Sequence, residues 1–85
     1  MRHQVVLVRS AEREFGHLPR DVGDRVAAAL QRLSQEPRSR GARRLSQGPG
    51  WRLRVGHYRI LYTVDGDSRL VTVYAMGHRR DVYRR

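Results

Sequence analysis

The chain has 85 residues, room for one small domain, and its 18 basic residues against 8 acidic ones give a formal net charge of +10. It contains no cysteine, which excludes disulfides and thiolate zinc sites and suits a reducing compartment. The longest apolar run, Val26 to Leu30, is too short for a membrane span or a signal-peptide core, so a cytoplasmic protein without membrane association is expected.

All of the basic residues are arginine, and their distribution is uneven. Seven of them fall between Arg38 and Arg59, a stretch with no acidic residue. The acids sit elsewhere, at Glu12, Glu14, Asp21, Asp24, Glu36, Asp65, Asp67 and Asp81. A block of one sign on a compact domain is an electrostatic footprint for nucleic acid or for an acidic partner protein. Arginine in particular matches phosphate with a planar, forked set of donors.

In chain order, residues 4–8 form a short apolar run with β-branched residues. It reads as a strand buried on both faces, hence central or well covered. Ser10 is placed to cap a helix with Glu12 in its first turn. Ala11, Phe15 and Leu18 follow helical spacing up to Pro19. A second helix starts near Asp21. Val22, Val26, Ala29, Leu30 and Leu33 form its apolar stripe, and it stops before Pro37. Two helices joined by Leu18-Pro19-Arg20 suggest an antiparallel helical hairpin.

Residues 37–50, with three glycines, two prolines and four arginines, read as a loop held down by Leu45. Strands are expected at 51–55, 57–65 and 69–76. Gly56 makes the first turn, and Asp65-Gly66-Asp67-Ser68 the second, with glycine supplying positive φ. Both faces of the last strand are fairly apolar, which makes it interior. The predicted order is β-α-α-β-β-β over one domain, residues 1–85. The fold class is α+β: a mainly antiparallel sheet with the helical hairpin on one face.

In Trp51-Arg52-Leu53-Arg54-Val55, arginines alternate with apolar residues, and Arg59 follows beyond the turn. One face of the hairpin is therefore basic and the other apolar. The four histidines, His3, His17, His57 and His78, show no paired spacing for a metal. There is no nucleophile elbow and no phosphate-binding glycine loop. No metal or cofactor is expected. Arg52, Arg54, Arg59, His78, Arg79 and Tyr83 remain as candidates. Singly, each reads as an ordinary solvated surface residue. Together they form a phosphodiester-binding surface able to stabilise negative charge developing on phosphorus during RNA strand cleavage. The 2′-hydroxyl is then the nucleophile, and the protein supplies positioning, charge and proton transfer. Arginine holds its proton at ordinary pH, so His78 is the candidate acid or base, Tyr83 can orient a hydrogen bond, and Asp81 is read as pairing with a neighbouring arginine.

The run Arg52-Leu53-Arg54-Val55-Gly56-His57-Tyr58-Arg59-Ile60-Leu61-Tyr62, followed after one hairpin by Met76-Gly77-His78-Arg79-Arg80-Asp81-Val82-Tyr83, resembles the RelE branch of the RelE/ParE toxin superfamily. The resemblance covers essentially the whole chain. It implies the toxin of a type II toxin–antitoxin system: a basic ribonuclease that enters the ribosomal A site, cuts messenger RNA without a metal, leaves a cyclic phosphate and so inhibits translation. It implies a cognate antitoxin that wraps the toxin in a hetero-oligomer. The family's site roles fall here on Arg52, Arg54, Arg59, Arg79 and Tyr83. The best-known RelE site carries lysine at the first two of these positions, and arginine keeps the charge there but is a poor base. His78 stands where some relatives have another basic residue, as proton acceptor or as a ring stacked on a base. Two other functions fit the same chain. One is a ParE-like poison of DNA gyrase on the same fold; the other is a basic RNA-binding module without catalysis.

Overall fold

The computed structural model describes residues 2–38, 41–46 and 48–80. Its elements are β1 (Gln4–Leu7), α1 (Arg9–Gly16), α2 (Arg20–Gln35), β2 (Ala42–Arg44), β3 (Trp51–Val55), β4 (Tyr58–Asp65) and β5 (Leu70–His78). The strands form one sheet in the order β1-β5-β4-β3-β2. β1 runs parallel to β5, and the other three pairings are antiparallel. The fold is thus the expected α+β arrangement, with a strand added at one edge. No helix among the described residues is long and apolar enough to cross a membrane.

The core lies between one face of the sheet and the two helices. Ala11 of α1 and Val26, Ala29 and Leu33 of α2 pack against Leu53, Val55, Ile60, Tyr62, Val71, Val73 and Met76. Val22 and Leu30, the rest of the predicted stripe, flank that core half-buried, as do Phe15 and Leu18. The helical period therefore marks the buried side of α2 correctly.

Four local expectations need correction. β1 is an edge strand, half-buried rather than enclosed on both faces. Only one side of it meets the helices, and only one neighbour, β5, pairs with it. Ser10 does not cap α1. The Val8 N–H donates to Val73 O at 3.0 Å and the Val8 carbonyl accepts from Glu12 N at 2.9 Å, so the chain passes directly from strand ladder to helix and Val8 is the N-cap. Part of the predicted loop is β2, paired with β3 through Ala42↔Leu53, Arg43↔Arg52 and Arg44↔Trp51. In the β4–β5 connection, the positive φ belongs to Arg69 (54°) instead of Gly66. The Asp65 carboxylate closes that turn by accepting from Asp67 N and Ser68 N, and the Ser68 amide chiefly holds its pKa below the usual value. Leu45 does pin its segment, packing with Tyr74 against Leu61 and Ala75 on the face away from the helices.

β5 carries a bulge. Leu61 pairs with Ala75 but Tyr62 pairs with Val73, which leaves Tyr74 as an extra residue. Val71 and Val73 face the helices, and beyond the bulge Met76 does so in place of Ala75. Simple alternation would have put Ala75 inward and Met76 outward. Beyond Val73, where β1 has given way to α1, the Met76 N–H is bonded by the Glu14 carboxylate at 3.0 Å. A helix side chain thus takes the place of a missing strand partner.

Tyr62, fully buried, donates its hydroxyl to Pro37 O at 2.6 Å and ties the end of α2 to the middle of the sheet. Burial pushes this phenol up to about 12, against the lowering effect of the Arg38 guanidinium.

Two outcomes follow for stability. Tyr62→Phe leaves the Pro37 carbonyl without its donor and is expected to cost about 1–3 kcal/mol in urea unfolding at neutral pH. Because the folded pKa lies above the unfolded value of 10.0, the wild-type advantage should be complete below pH 10 and shrink as pH rises toward 12. Glu14→Ala should cost a similar ~1–3 kcal/mol by leaving the Met76 amide without an acceptor, whereas Glu14→Gln, which keeps an oxygen there, should recover most of it.

Candidate nucleic-acid interface

The register decides which arginines share a face. Arg43 lies opposite Arg52, Arg52 opposite Leu61, and Arg54 opposite Arg59. Cross-strand partners in a sheet point to the same side. Leu61 faces away from the helices, so Arg43, Arg52, Arg54 and Arg59 all stand on the open face. The alternation of β3 produces this arrangement, since Leu53 and Val55 fill the core between and beside the two arginines.

A cavity of about 260 Å³ is lined by Gly41, Arg43, Arg52 and Arg54. A second, of about 340 Å³, is lined by Arg44, Leu45, Ser46 and Arg52. The first falls below the usual size of small-molecule pockets. Its cationic lining suits a phosphate with its attached sugar better than an apolar ligand. Arg52, half-buried, borders both cavities.

Arg59 differs from the other arginines. It is only 8% exposed, and its Nε and one terminal nitrogen, Nη1, are buried with no hydrogen-bond partner among the described residues. An arginine is rarely buried without an anion, because the desolvated charge is costly. Its partner across β4–β5 is Gly77, where an added Cβ would meet nothing within 4 Å. Among the described residues, no carboxylate bonds either of those buried guanidinium nitrogens.

The other candidates divide. Gly77 shares the face of Arg59, and Arg79, two residues on, is exposed in the turn after β5. Its N–H donates to His57 O at 2.8 Å. His78 lies opposite Tyr58, on the side of Ile60 and Met76, and lines a cavity of about 380 Å³ with Glu14, His17, Leu18 and Tyr58. The sheet thus separates the His78 ring from Arg52, Arg54 and Arg59. Tyr83 and Asp81 lie outside the described residues.

Arg43 was not foreseen. It sits in a three-residue strand, too short for alternation to show in a segment rich in glycine and proline. On the helix side of the same edge, the Arg38 and Arg44 guanidinium groups lie 6.0 and 5.8 Å from the centre of the Trp51 ring, within cation–π range.

Comparison with known proteins places the chain. The family model described as the ParE toxin of the type II toxin–antitoxin system parDE matches residues 5–83. Toxin RelG of Mycobacterium tuberculosis is 35% identical, with both chains covered in full. The toxin–antitoxin complex RelBE2 of the same organism gives a TM-score of 0.84 at 27% identity, covering 93% of this chain and all of that one. An archaeal RelE–RelB complex from Pyrococcus horikoshii gives 0.82 at 22% identity, covering 96% of this chain and all of that one, a likeness of fold. With a family match across nearly its whole length and a full-length relative of this kind, the chain belongs to the RelE/ParE superfamily and is a toxin of a type II toxin–antitoxin system.

Proposed function

We propose that this toxin is an endoribonuclease that cuts messenger RNA in the ribosomal A site and so stops translation. The observation that carries the reading is Arg59, buried on the face of Arg52 and Arg54 with two guanidinium nitrogens that have no partner among the described residues. A phosphodiester placed there supplies the missing negative charge. Arg52 and Arg54 bind its non-bridging oxygens from β3, Arg59 from β4 and Arg79 from the tail. Arg43 extends the cationic row toward the neighbouring phosphate.

The reaction needs no covalent residue and no metal. The 2′-oxygen attacks phosphorus, the bond to the 5′-oxygen breaks, and the products carry a 2′,3′-cyclic phosphate and a 5′-hydroxyl. Extra negative charge gathers on the non-bridging oxygens in the transition state, where fixed guanidinium groups stabilise it most. The proton of the 2′-hydroxyl leaves as attack proceeds, and the departing 5′-oxygen gains one. Tyr83 orients the nucleotide in this reading. His78, facing the helix side, is not assigned the proton transfer.

The same charge sets the partner. An acidic, partly disordered antitoxin folding over a +10 surface neutralises the arginine face and blocks it. RelBE2 and the archaeal RelE are themselves seen in complexes with antitoxins, which supports a hetero-oligomer here, held in the cytoplasm with its target. The ParE family model favours a second reading, inhibition of DNA gyrase.

Purified protein added to programmed ribosomes, with cuts mapped by primer extension, tests the choice. The expected result is cleavage within the A-site codon. Arg59→Ala should lower the rate by about 10²–10³-fold, the cost of removing one transition-state donor. Because that arginine is a buried charge with two nitrogens unpartnered among the described residues, Arg59→Met should leave thermal stability equal or higher while cleavage is lost. An intact message together with blocked gyrase supercoiling would support the second reading instead.

A further inference from the structure

The tail that bears Arg79 is held by two histidines, and each uses a different group. The Arg79 amide donates to the main-chain carbonyl of His57, in the β3–β4 turn, at 2.8 Å. The next amide, that of Arg80, donates to the ring Nδ1 of His78 at 3.2 Å. The ring itself is fixed from two sides. His57 stacks on it, with centroids 6.2 Å apart and planes 25° apart, and Tyr58 meets it edge-on at 5.6 Å and 78°. Glu14 of α1 and His17, which caps the end of that helix, line the same cavity.

An Nδ1 that accepts a hydrogen bond carries no proton, so the ring proton lies on Nε2. The bond from residue 80 back to the side chain of residue 78 has the geometry that asparagine and aspartate make in an Asx turn. It directs the chain as it leaves β5, just after Gly77 on the open face and immediately around Arg79. The ring lies across the sheet from the strand arginines and its Nδ1 is already engaged.

We propose that His78 is a positioning residue that caps the Arg79–Arg80 turn through Nδ1 and so presents Arg79 to the arginine face. The role of Arg79 in this statement rests on the ribonuclease reading above; the turn itself does not.

The substitutions His78→Asn, His78→Gln and His78→Ala separate the roles in the full-length protein. Asparagine puts an oxygen where the ring has Nδ1, whereas glutamine reaches the place of Nε2. His78→Asn should keep slow exchange of the Arg80 amide and near-wild-type cleavage on programmed ribosomes. His78→Gln and His78→Ala should lose both, with the cleavage rate falling by about tenfold or more, since misplacing a group by about an ångström can cost up to a hundredfold. The loss should fall on kcat rather than KM. Equal loss in all three variants, with the Arg80 amide still protected, would overturn the proposal in favour of acid–base catalysis. Wild-type cleavage in all three would overturn it as well.

A measurement on the unmodified protein guards against variants that do not fold. Nitrogen-15 spectra of the imidazole should show Nδ1 unprotonated and Nε2 bearing the proton. A proton on Nδ1, or a freely exchanging Arg80 amide, overturns the proposal. If the wild type cuts no message, the ribonuclease reading fails, and these spectra decide the turn on their own.

Discussion

The side on which each tail residue falls is set by one extra residue in β5. Without the bulge at Tyr74, strict alternation would carry Val71 and Val73 on to Ala75 and Gly77 on the helix side. His78 would then stand among the arginines. With it, Met76 and His78 turn toward the helices, and Gly77 comes opposite Arg59. The same slip places the Met76 amide against Glu14 of α1. A bulge is thus coupled to helix docking at one end and to the arginine face at the other, consistent with the frequent occurrence of bulges beside functional sites. Removing the extra residue would exchange the two faces of the strand beyond it, a change no side-chain adjustment could absorb.

The arginine face follows a different logic from the core. Leu53, Val55, Ile60 and Tyr62 are stabilised by leaving water. On the opposite side of the same two strands, Arg52, Arg54 and Arg59 crowd like charges together, and Arg59 does so while largely desolvated. Like charges directly opposite each other weaken a strand pair. The sheet tolerates this because β4 is interior, paired along both edges and packed on the helices through Ile60 and Tyr62. The tyrosine hydroxyl bond to Pro37 adds a further tie on that side. Stability is thus concentrated on one face of β4, and a buried charge without a partner among the described residues is held on the other. Preorganised charge of this kind needs no reorganisation when an anion arrives.

Much of this was legible in the sequence. The α2 stripe from Val22 to Leu33 was clear because sixteen helical residues give the period several repeats. The β3–β4 hairpin was clear because Gly56 separates an alternating run from a second apolar run, and that glycine does take positive φ (61°). Those runs also revealed Arg52, Arg54 and Arg59 as a set. What was hidden depended on partners distant in sequence. β2 has three residues and is a strand only because β3 pairs with it. The burial of Arg59 depends on its setting in the sheet, with Gly77 opposite, and the side of His78 depends on a register slip that leaves no local signature. β1 looked doubly buried because Val5-Val6-Leu7 is apolar throughout, yet its position at the sheet edge is a matter of topology.

The central claim is that the arginine face drives attack by the message's own 2′-hydroxyl. The most direct measurement uses a message with a single 2′-deoxy nucleotide immediately 5′ of the scissile phosphate, on programmed ribosomes. The account predicts unchanged binding of the toxin and complete loss of cleavage at that position, with the unmodified message giving a 2′,3′-cyclic phosphate end. Cleavage of the deoxy-substituted message at the usual rate would contradict it.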